Sequence, residues 1–286
     1  MKHACYIFLS LYIFGYSQDF AYDRPVTIAI LAKDKEHTLP LFLTCLEKQT
    51  WPKSKTYLYI RTNDNNDNTA QTLKDWIERV KDKYLGIYFD DSDAPISVKQ
   101  YVQHEWNCIR FKVLGKIRLD SMLWAYEHNS HYFVADCDNF ILPHTIERMV
   151  QTNLPIVAPL LQSDCAYSNF HADIDENGYM KDSPFYLPLI NREIVGYIQV
   201  PVVHCTYFVH YEVLLDMAYD DESYRYEYVI FSDNARKKGI PQYLDTTDFF
   251  GYVTFAENST ALVSEPWFLR FLHTLTKYQY TNPCRT

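Results

Sequence analysis

Residues 131–143 read HYFVADCDNFILP. The run from Tyr132 to Ala135 is apolar, the kind that fills a buried strand, and it stops at two aspartates spaced one residue apart. Asp136 and Asp138 are followed by the polar Asn139. A carboxylate resists burial unless something positive holds it, so a cation is expected where this strand ends. If the backbone turns there, both carboxylates reach one hard divalent ion. Mg²⁺ and Mn²⁺ favour octahedral oxygen coordination and commonly take part of it from phosphates. The competing reading is two solvated acids in a turn; the strong strand in front of them favours the ion.

The surrounding segments define the sheet to which this strand belongs. Val26 to Ala32 is an almost unbroken apolar run rich in β-branched residues, the pattern of a strand covered on both faces. HTLPLFLTCLEKQ (37–49) reads as a helix with Thr38 as cap and Pro40 in its first turn. TYLYIRTN (56–63) is a second strand. In the helix that follows, Leu73, Trp76, Ile77, Val80 and Tyr84 keep helical spacing, with Asp67 or Asn68 as cap. LGIYFDD (85–91) is a third strand, and FKVLGKIRLDSMLWAYEHN (111–129) a helix with Leu119, Met122, Leu123 and Tyr126 on one face. Alternating strands and helices predict an α/β fold with a mostly parallel sheet. The aspartates then lie at the carboxyl edge, where open α/β sheets bind ligands.

The second half is more irregular. LPIVAPLLQS (154–163), YIQVPVVHCTYFVHYEVL (197–214) and FGYVTFA (250–256) are strand-like, with more prolines and fewer clear helices. No composition break or low-complexity linker interrupts the chain, so one domain over 22–265 is expected, then a tail over 266–286 holding a short helix.

Of the 286 residues, 48% are hydrophobic and 22% charged, an ordinary globular balance. The formal charge of −9 and the lack of a basic run argue against a nucleic-acid partner. Lys2 and His3 precede an apolar stretch from Ala4 to Phe14, with small residues at Gly15 and Ser17. That pattern predicts a secretory leader over residues 1–17. The stretch is shorter than the ~20 residues that span a bilayer, and no later segment is long and apolar enough to do so. Beyond Cys5 the chain has six cysteines, an even number that suits an oxidising compartment. Their spacing shows no zinc pattern. Asn258 opens an NST glycosylation triplet.

FVADCDNFIL (133–142), together with IAILAKDKEHTLPLFLTCLEKQ, NDNNDNTAQTLKDW, IVAPLLQSDCAYSNF, GYMKDSPFYLPL and VPVVHCTYFV in the same order, resembles glycosyltransferase family 25, the procollagen galactosyltransferases. The resemblance covers roughly residues 24–255. It implies a GT-A fold, a nucleotide-sugar donor (UDP-galactose), Mn²⁺ or Mg²⁺, a protein or glycan acceptor such as hydroxylysine of collagen-like chains, and residence in the secretory pathway. Transferred residue by residue, Ala32, Lys33 and Asp34 would touch the nucleotide, as would Asn63, Asp67 and Asn68. Asp136 and Asp138 would hold the metal, and Tyr167 and Asn169 would line the donor sugar. Turn and cap roles compete for the Asn63–Asn68 loop, and packing for Tyr167.

The chain also departs from that family. It ends in NPCRT, without the second transferase domain and retention tail that the family typically carries. Paired acids are reduced to Glu227, with Asp233 further on, in YRYEYVIFSDN (224–234). Glu227 leads the candidates for general base, then Asp233, then Asp173. No histidine stands in FAENSTAL where one commonly completes the metal site, which leaves His204, expected as a buried structural histidine, and His273. These departures support a second reading, a non-catalytic secreted or luminal binding protein that keeps the fold.

Overall fold

The computed structural model describes residues 23–101 and 105–277. The expected leader and the last nine residues lie outside that range, as do Cys5 and Cys284. The chain alternates β1 (Val26–Ala32), α1 (Leu39–Glu47), β2 (Thr56–Thr62), α2 (Thr69–Val80), β3 (Gly86–Asp90), α3 (Cys108–Glu127) and β4 (His131–Ala135). The remainder is β5 (Asn139–Ile141), α4 (Thr145–Thr152), β6 (Ile156–Pro159), β7 (Phe170–His171), α5 (Tyr186–Ile190), β8 (Tyr197–Gln199), β9 (Val202–Val203), β10 (Thr206–Val209), α6 (Glu227–Lys237), β11 (Gln242–Asp245), β12 (Gly251–Val253), α7 (Ser259–Val263) and α8 (Phe268–Lys277).

Eight strands form the central sheet in the order β3-β2-β1-β4-β10-β6-β11-β8. β1 is parallel to both β2 and β4, so the chain winds outward from β1 in two directions. A crevice opens at the carboxyl ends of β1 and β4, where such a reversal leaves the two flanking loops apart. β10 runs antiparallel between β4 and β6, and β8 antiparallel at the edge.

Alternate side chains of β1 pack to opposite sides, as a strand with two covered faces requires. Val26, Ile28, Ile30 and Ala32 join the layer under α1, α2, α4, α7 and α8, while Ala29 joins the layer under α3, α5 and α6. The first four predicted strands and three predicted helices are present. The helix α3 buries Met122 but leaves Leu123 exposed, so its inner face runs through Gly115, Arg118, Met122 and Ala125.

Of the expected helix caps, that of Thr38 does not form: its hydroxyl donates backwards to the Lys35 carbonyl (3.3 Å). At the second helix Asn68 caps nothing with its side chain, but Asp67 Oδ1 accepts the N–H of Thr69, the first residue of α2 (2.9 Å). The long strand-like run 197–214 is three strands: Pro201 has no N–H for a ladder, and Cys205 takes a left-handed φ of 62°. The 250–256 run gives β12, which pairs with β5 outside the main sheet. Beyond residue 265 the chain stays packed: Trp267, Phe271 and Leu275 are buried with Phe140 and Tyr252. Among the described residues no helix is long and apolar enough to cross a membrane, and Cys45, Cys108, Cys137, Cys165 and Cys205 are unpaired thiols.

The β5–β12 pair anchors the segment after the aspartates, because the Thr254 N–H donates to the Asp138 carbonyl (3.0 Å). It depends on Gly251, whose φ is 142° and whose added Cβ would sit 1.9 Å from the Phe140 carbonyl oxygen. Gly251→Ala is expected to destabilise the fold by about 3 kcal/mol or more through clash and strained backbone. A urea or guanidinium midpoint close to wild type would contradict this.

Candidate functional site

The carboxyl ends of β1 and β4 open into a cleft enclosing about 130 Å³. Ala32 lines it from the end of β1, Lys33, Asp34 and Lys35 from the loop after it, Arg61 and Asn63 from β2 and just after it, Trp106 and Arg110 from just before and within the first turn of α3, and Asp136 and Asp138 from the segment after β4. A second cavity of about 230 Å³ lies beside it. Aromatic rings of Trp106, Phe111, Tyr167, Tyr226 and Tyr228 line it, with Arg118, His204, Cys205 and Glu227 deeper in. Asp136, Trp106 and Leu114 line both spaces. Asp136 therefore stands where the two meet.

One buried arginine organises this junction. Arg118 donates from Nη2 to Asp136 Oδ1 at 2.7 Å, and its Nε lies 3.4 Å from Glu227 Oε1. The Arg118 side chain is 3% exposed while Asp136 keeps 30%, so the arginine supports the aspartate from beneath and leaves it open to both cavities. Burial pushes the Asp136 carboxyl up; Arg118 opposes that shift and Asp138 reinforces it. Burial likewise lifts Glu227 to about 7, against the pull of Arg118 and with the help of Asp136. Arg118 Nη1 and Glu227 Oε2 are buried without a hydrogen-bond partner, an arrangement that proteins seldom tolerate except at working sites. Gly115 lets α6 come close enough to deliver Glu227, since an added Cβ would meet Glu227 Cβ at 3.3 Å and the Tyr219 carbonyl at 3.0 Å.

The second acid has its own cation. Lys35 Nζ lies 2.6 Å from Asp138 Oδ2. Burial works against the ammonium charge, but Asp138 more than offsets it and raises the Lys35 pKa. The loop carrying Lys35 is laced to the loop after β2. Asp34 N–H donates to Asn65 Oδ1 (2.9 Å), Lys35 N–H to Thr69 Oγ1 (2.7 Å) and Asn66 N–H to Asp34 Oδ1 (2.6 Å).

The sequence-derived site residues divide accordingly. Ala32, Lys33, Asp34 and Asn63 line the cleft with Asp136 and Asp138, and Tyr167 and Glu227 line the second cavity. Asp67 and Asn68 do not reach either space: Asp67 accepts from Glu36 and Thr69 N–H, and Asn68 bonds Glu36, so both fasten loop to loop. Asn169 is buried and bridges backbone, accepting from Leu161 N–H and donating to the Pro159 and Thr206 carbonyls. Asp233 lies outside both cavities, paired with Arg225, Arg236 and Lys237. Asp173 accepts from the N–H of Ile174 and lines neither space. His204 is buried, as expected, and burial with the nearby His171 and Arg118 keeps its pKa well below the usual range. His273 is exposed on α8.

The expected metal does not fit the residues present. Among the described residues no three His, Cys, Asp or Glu side chains group to hold an ion, and each aspartate of the pair already faces a basic side chain. The residues the sequence reading missed are Arg118, Lys35, Arg110 and Trp106. Arg118 had a signal: it is the one basic residue on the Gly115–Met122–Ala125 face of α3.

The profile described as "Glycosyltransferase family 25, N-terminal domain" matches residues 24–266, and the chain belongs to that family. Among individual relatives, procollagen galactosyltransferase 2 of Homo sapiens is 31% identical over 238 residues, 80% of this chain and 38% of that protein. The "Probable inactive glycosyltransferase 25 family member 3" of Bos taurus is 33% identical over 190 residues, 64% of this chain and 31% of that protein. The chain thus spans well under half the length of these relatives. TarS of S. aureus, solved with UDP-GlcNAc, superposes with a TM-score of 0.52 at 12% identity, over 89% of this chain and 71% of that one. The likeness establishes the GT-A-like fold.

Removing the arginine leaves the buried Glu227 and the partly buried Asp136 without the cation they share. Arg118→Ala is expected to cost about 3–5 kcal/mol near neutral pH. Without the guanidinium, the folded-state pKa values of Asp136 and Glu227 rise further above their unfolded values. A raised acid pKa favours the fold at low pH, and that advantage disappears as pH rises through the folded pKa. The deficit relative to wild type should therefore shrink as pH falls from 8 toward 5; a deficit that stays constant across denaturation curves in this range would refute the arrangement.

Proposed function

We propose that the chain transfers a sugar from a nucleoside diphosphate donor to a hydroxyl group, with the nucleotide in the β1–β4 cleft and the sugar in the aromatic-lined cavity. The observation that carries this reading is the meeting of the two spaces at Asp136. Four basic side chains, Lys33, Lys35, Arg61 and Arg110, against three acidic ones, line the cleft of a chain whose net charge is −9. Such local reversal favours an anionic ligand. Aromatic faces in the neighbouring cavity suit the apolar face of a pyranose ring, while its hydroxyls meet the polar groups below.

In the transfer step the acceptor oxygen attacks the anomeric carbon as the bond from that carbon to the diphosphate oxygen breaks. Glu227 takes the hydroxyl proton. A base with a pKa near the working pH is suited to this task, and burial holds Glu227 at about 7. Below that pH the carboxyl is protonated and does not accept. The name of the human relative supports galactose as the sugar and procollagen as the acceptor; UDP as its carrier, and the secretory pathway with residues 1–17 as leader, belong to the same proposal.

A second reading has one specific observation behind it. Glu227 faces the Arg118 guanidinium across 3.4 Å, and a relative of similar identity carries the name of an inactive member. In that case the fold binds nucleotide without turnover. Release of UDP from a panel of UDP-sugars, with and without a hydroxylysine peptide, separates the two readings. For the enzyme, Glu227→Gln is expected to lower kcat about 10²–10⁴-fold, while the wild-type rate falls on acidification below about pH 7. A Glu227→Gln rate equal to wild type would remove Glu227 from the chemistry.

A further inference from the structure

We propose that Lys35 stands in for a divalent ion: its ammonium, seated on Asp138, is the charge that receives the donor's diphosphate, so nucleotide binding by this chain requires no metal. The inference rests on the reading of the β1–β4 cleft as the nucleotide site and adds to it how that site neutralises its ligand.

An Asp-X-Asp pair at a sheet edge repels a diphosphate unless a cation stands between them. Here that cation is covalently part of the chain. Lys35 Nζ lies 2.6 Å from Asp138 Oδ2, and Arg118 Nη2 lies 2.7 Å from Asp136 Oδ1. The two aspartates and two basic groups sum to zero charge. Lys33 is likewise matched by Asp34 (2.5 Å). Arg61, which also faces Asp90 at 3.4 Å, and Arg110, which donates to the Glu105 carbonyl at 2.7 Å, add further positive charge to the cleft lining. A divalent ion approaching Asp138 would have to displace the ammonium or lie beside it, and like charges at contact distance repel strongly in a half-buried site. No third carboxylate, thiol or imidazole joins the pair among the described residues, so an ion there would have to draw its other ligands from the phosphates and water.

Lys35 is held in place rather than swinging on the surface. Its side chain is 17% exposed. Its backbone N–H is fixed on Thr69 Oγ1, and Asp34, in a left-handed conformation at φ 54°, is bonded to Asn65 and Asn66 on the neighbouring loop. The hydrogen bonds thus set the direction in which the lysine stem leaves the backbone. An ammonium is a compact charge with three donors, well suited to phosphate oxygens even where a bidentate guanidinium would not fit. While one N–H stays on Asp138, others are available to a phosphate oxygen in the cleft.

The test is calorimetric titration of the full chain with UDP and with GDP, in EDTA and in Mn²⁺, for wild type, Lys35→Ala and Lys35→Met. The expected result is wild-type affinity for one of these nucleotides that differs less than about twofold between the two buffers. Both variants should bind at least tenfold more weakly in EDTA and recover affinity in Mn²⁺, because Asp138 is released to bind the ion. Wild-type binding that appears only with Mn²⁺ overturns the inference and leaves the cleft as the nucleotide site. So does a variant that keeps wild-type affinity in EDTA. No binding of either nucleotide in either buffer overturns the cleft reading itself, and the inference with it. If both variants fail to fold, the wild-type comparison alone decides.

Discussion

The ion pair between Arg118 and Asp136 is the constraint on which the site depends. A guanidinium left with 3% exposure cannot stand alone in an apolar layer. It requires acids to converge on it, and they arrive from two elements: Asp136 from the end of β4 and Glu227 from the first turn of α6. Three distant segments are thereby brought into one register, α3 against β4 and α6 against α3. Gly115, one turn before Arg118 on the same helix, provides the close approach that this geometry demands. The pair is weak evidence for stability, because desolvation offsets much of its attraction. Its effect is positional: it holds one carboxylate upright between two cavities.

The same principle explains how an acidic chain builds a basic cleft. Each acid near the sheet edge is matched, Asp34 by Lys33, Asp136 by Arg118 and Asp138 by Lys35. What remains toward the opening is Arg61, which also touches Asp90, and Arg110, which packs over the Trp106 ring at 4.3 Å. Burial lowers the Arg110 pKa but leaves the group charged. The cleft therefore offers positive charge at its wall and neutral, ordered ion pairs at its floor, a surface that accommodates an anion without large rearrangement.

Much of this was legible in the sequence because it is periodic. The almost unbroken apolar run at 26–32 and the apolar run at 132–135 suit doubly covered strands, and once they are neighbours in a parallel sheet, Asp136 and Asp138 must stand at its carboxyl edge. Partner identity was not legible, because it depends on tertiary direction. The Asn63–Asn68 loop has several side chains able to bind a nucleotide or fasten a loop. The structure leaves Asn63 in the cleft and uses Asp67 and Asn68 for fastening. Asn169 sat in a motif that suggested a ligand, yet its amide satisfies three backbone groups where β6 and β10 diverge. Arg118 was visible only as a charge on the wrong face of a helix, and that anomaly was the more informative signal. A broken local rule marks a functional site more reliably than a satisfied one.

The floor of the second cavity shows a further broken rule. Cys205 holds φ at 62°, and around it the Thr206 N–H donates to the His204 carbonyl at 2.6 Å, closing a three-residue turn. Turns of this hand are strained for a residue with a side chain. The strain has an identifiable return: the Cys205 carbonyl points at β4 and accepts the Asp136 N–H at 2.9 Å. Beyond the turn the chain enters β10, which pairs antiparallel with β4, Thr206 opposite Ala135. Asp136 is thus fixed at its backbone by one strand and at its carboxylate by one helix. A side chain held at both ends has little freedom to follow a ligand, so the ligand must fit the aspartate. An antiparallel strand inserted into an otherwise parallel run, which from the sequence is merely an irregularity of the second half, is the device that makes the junction rigid.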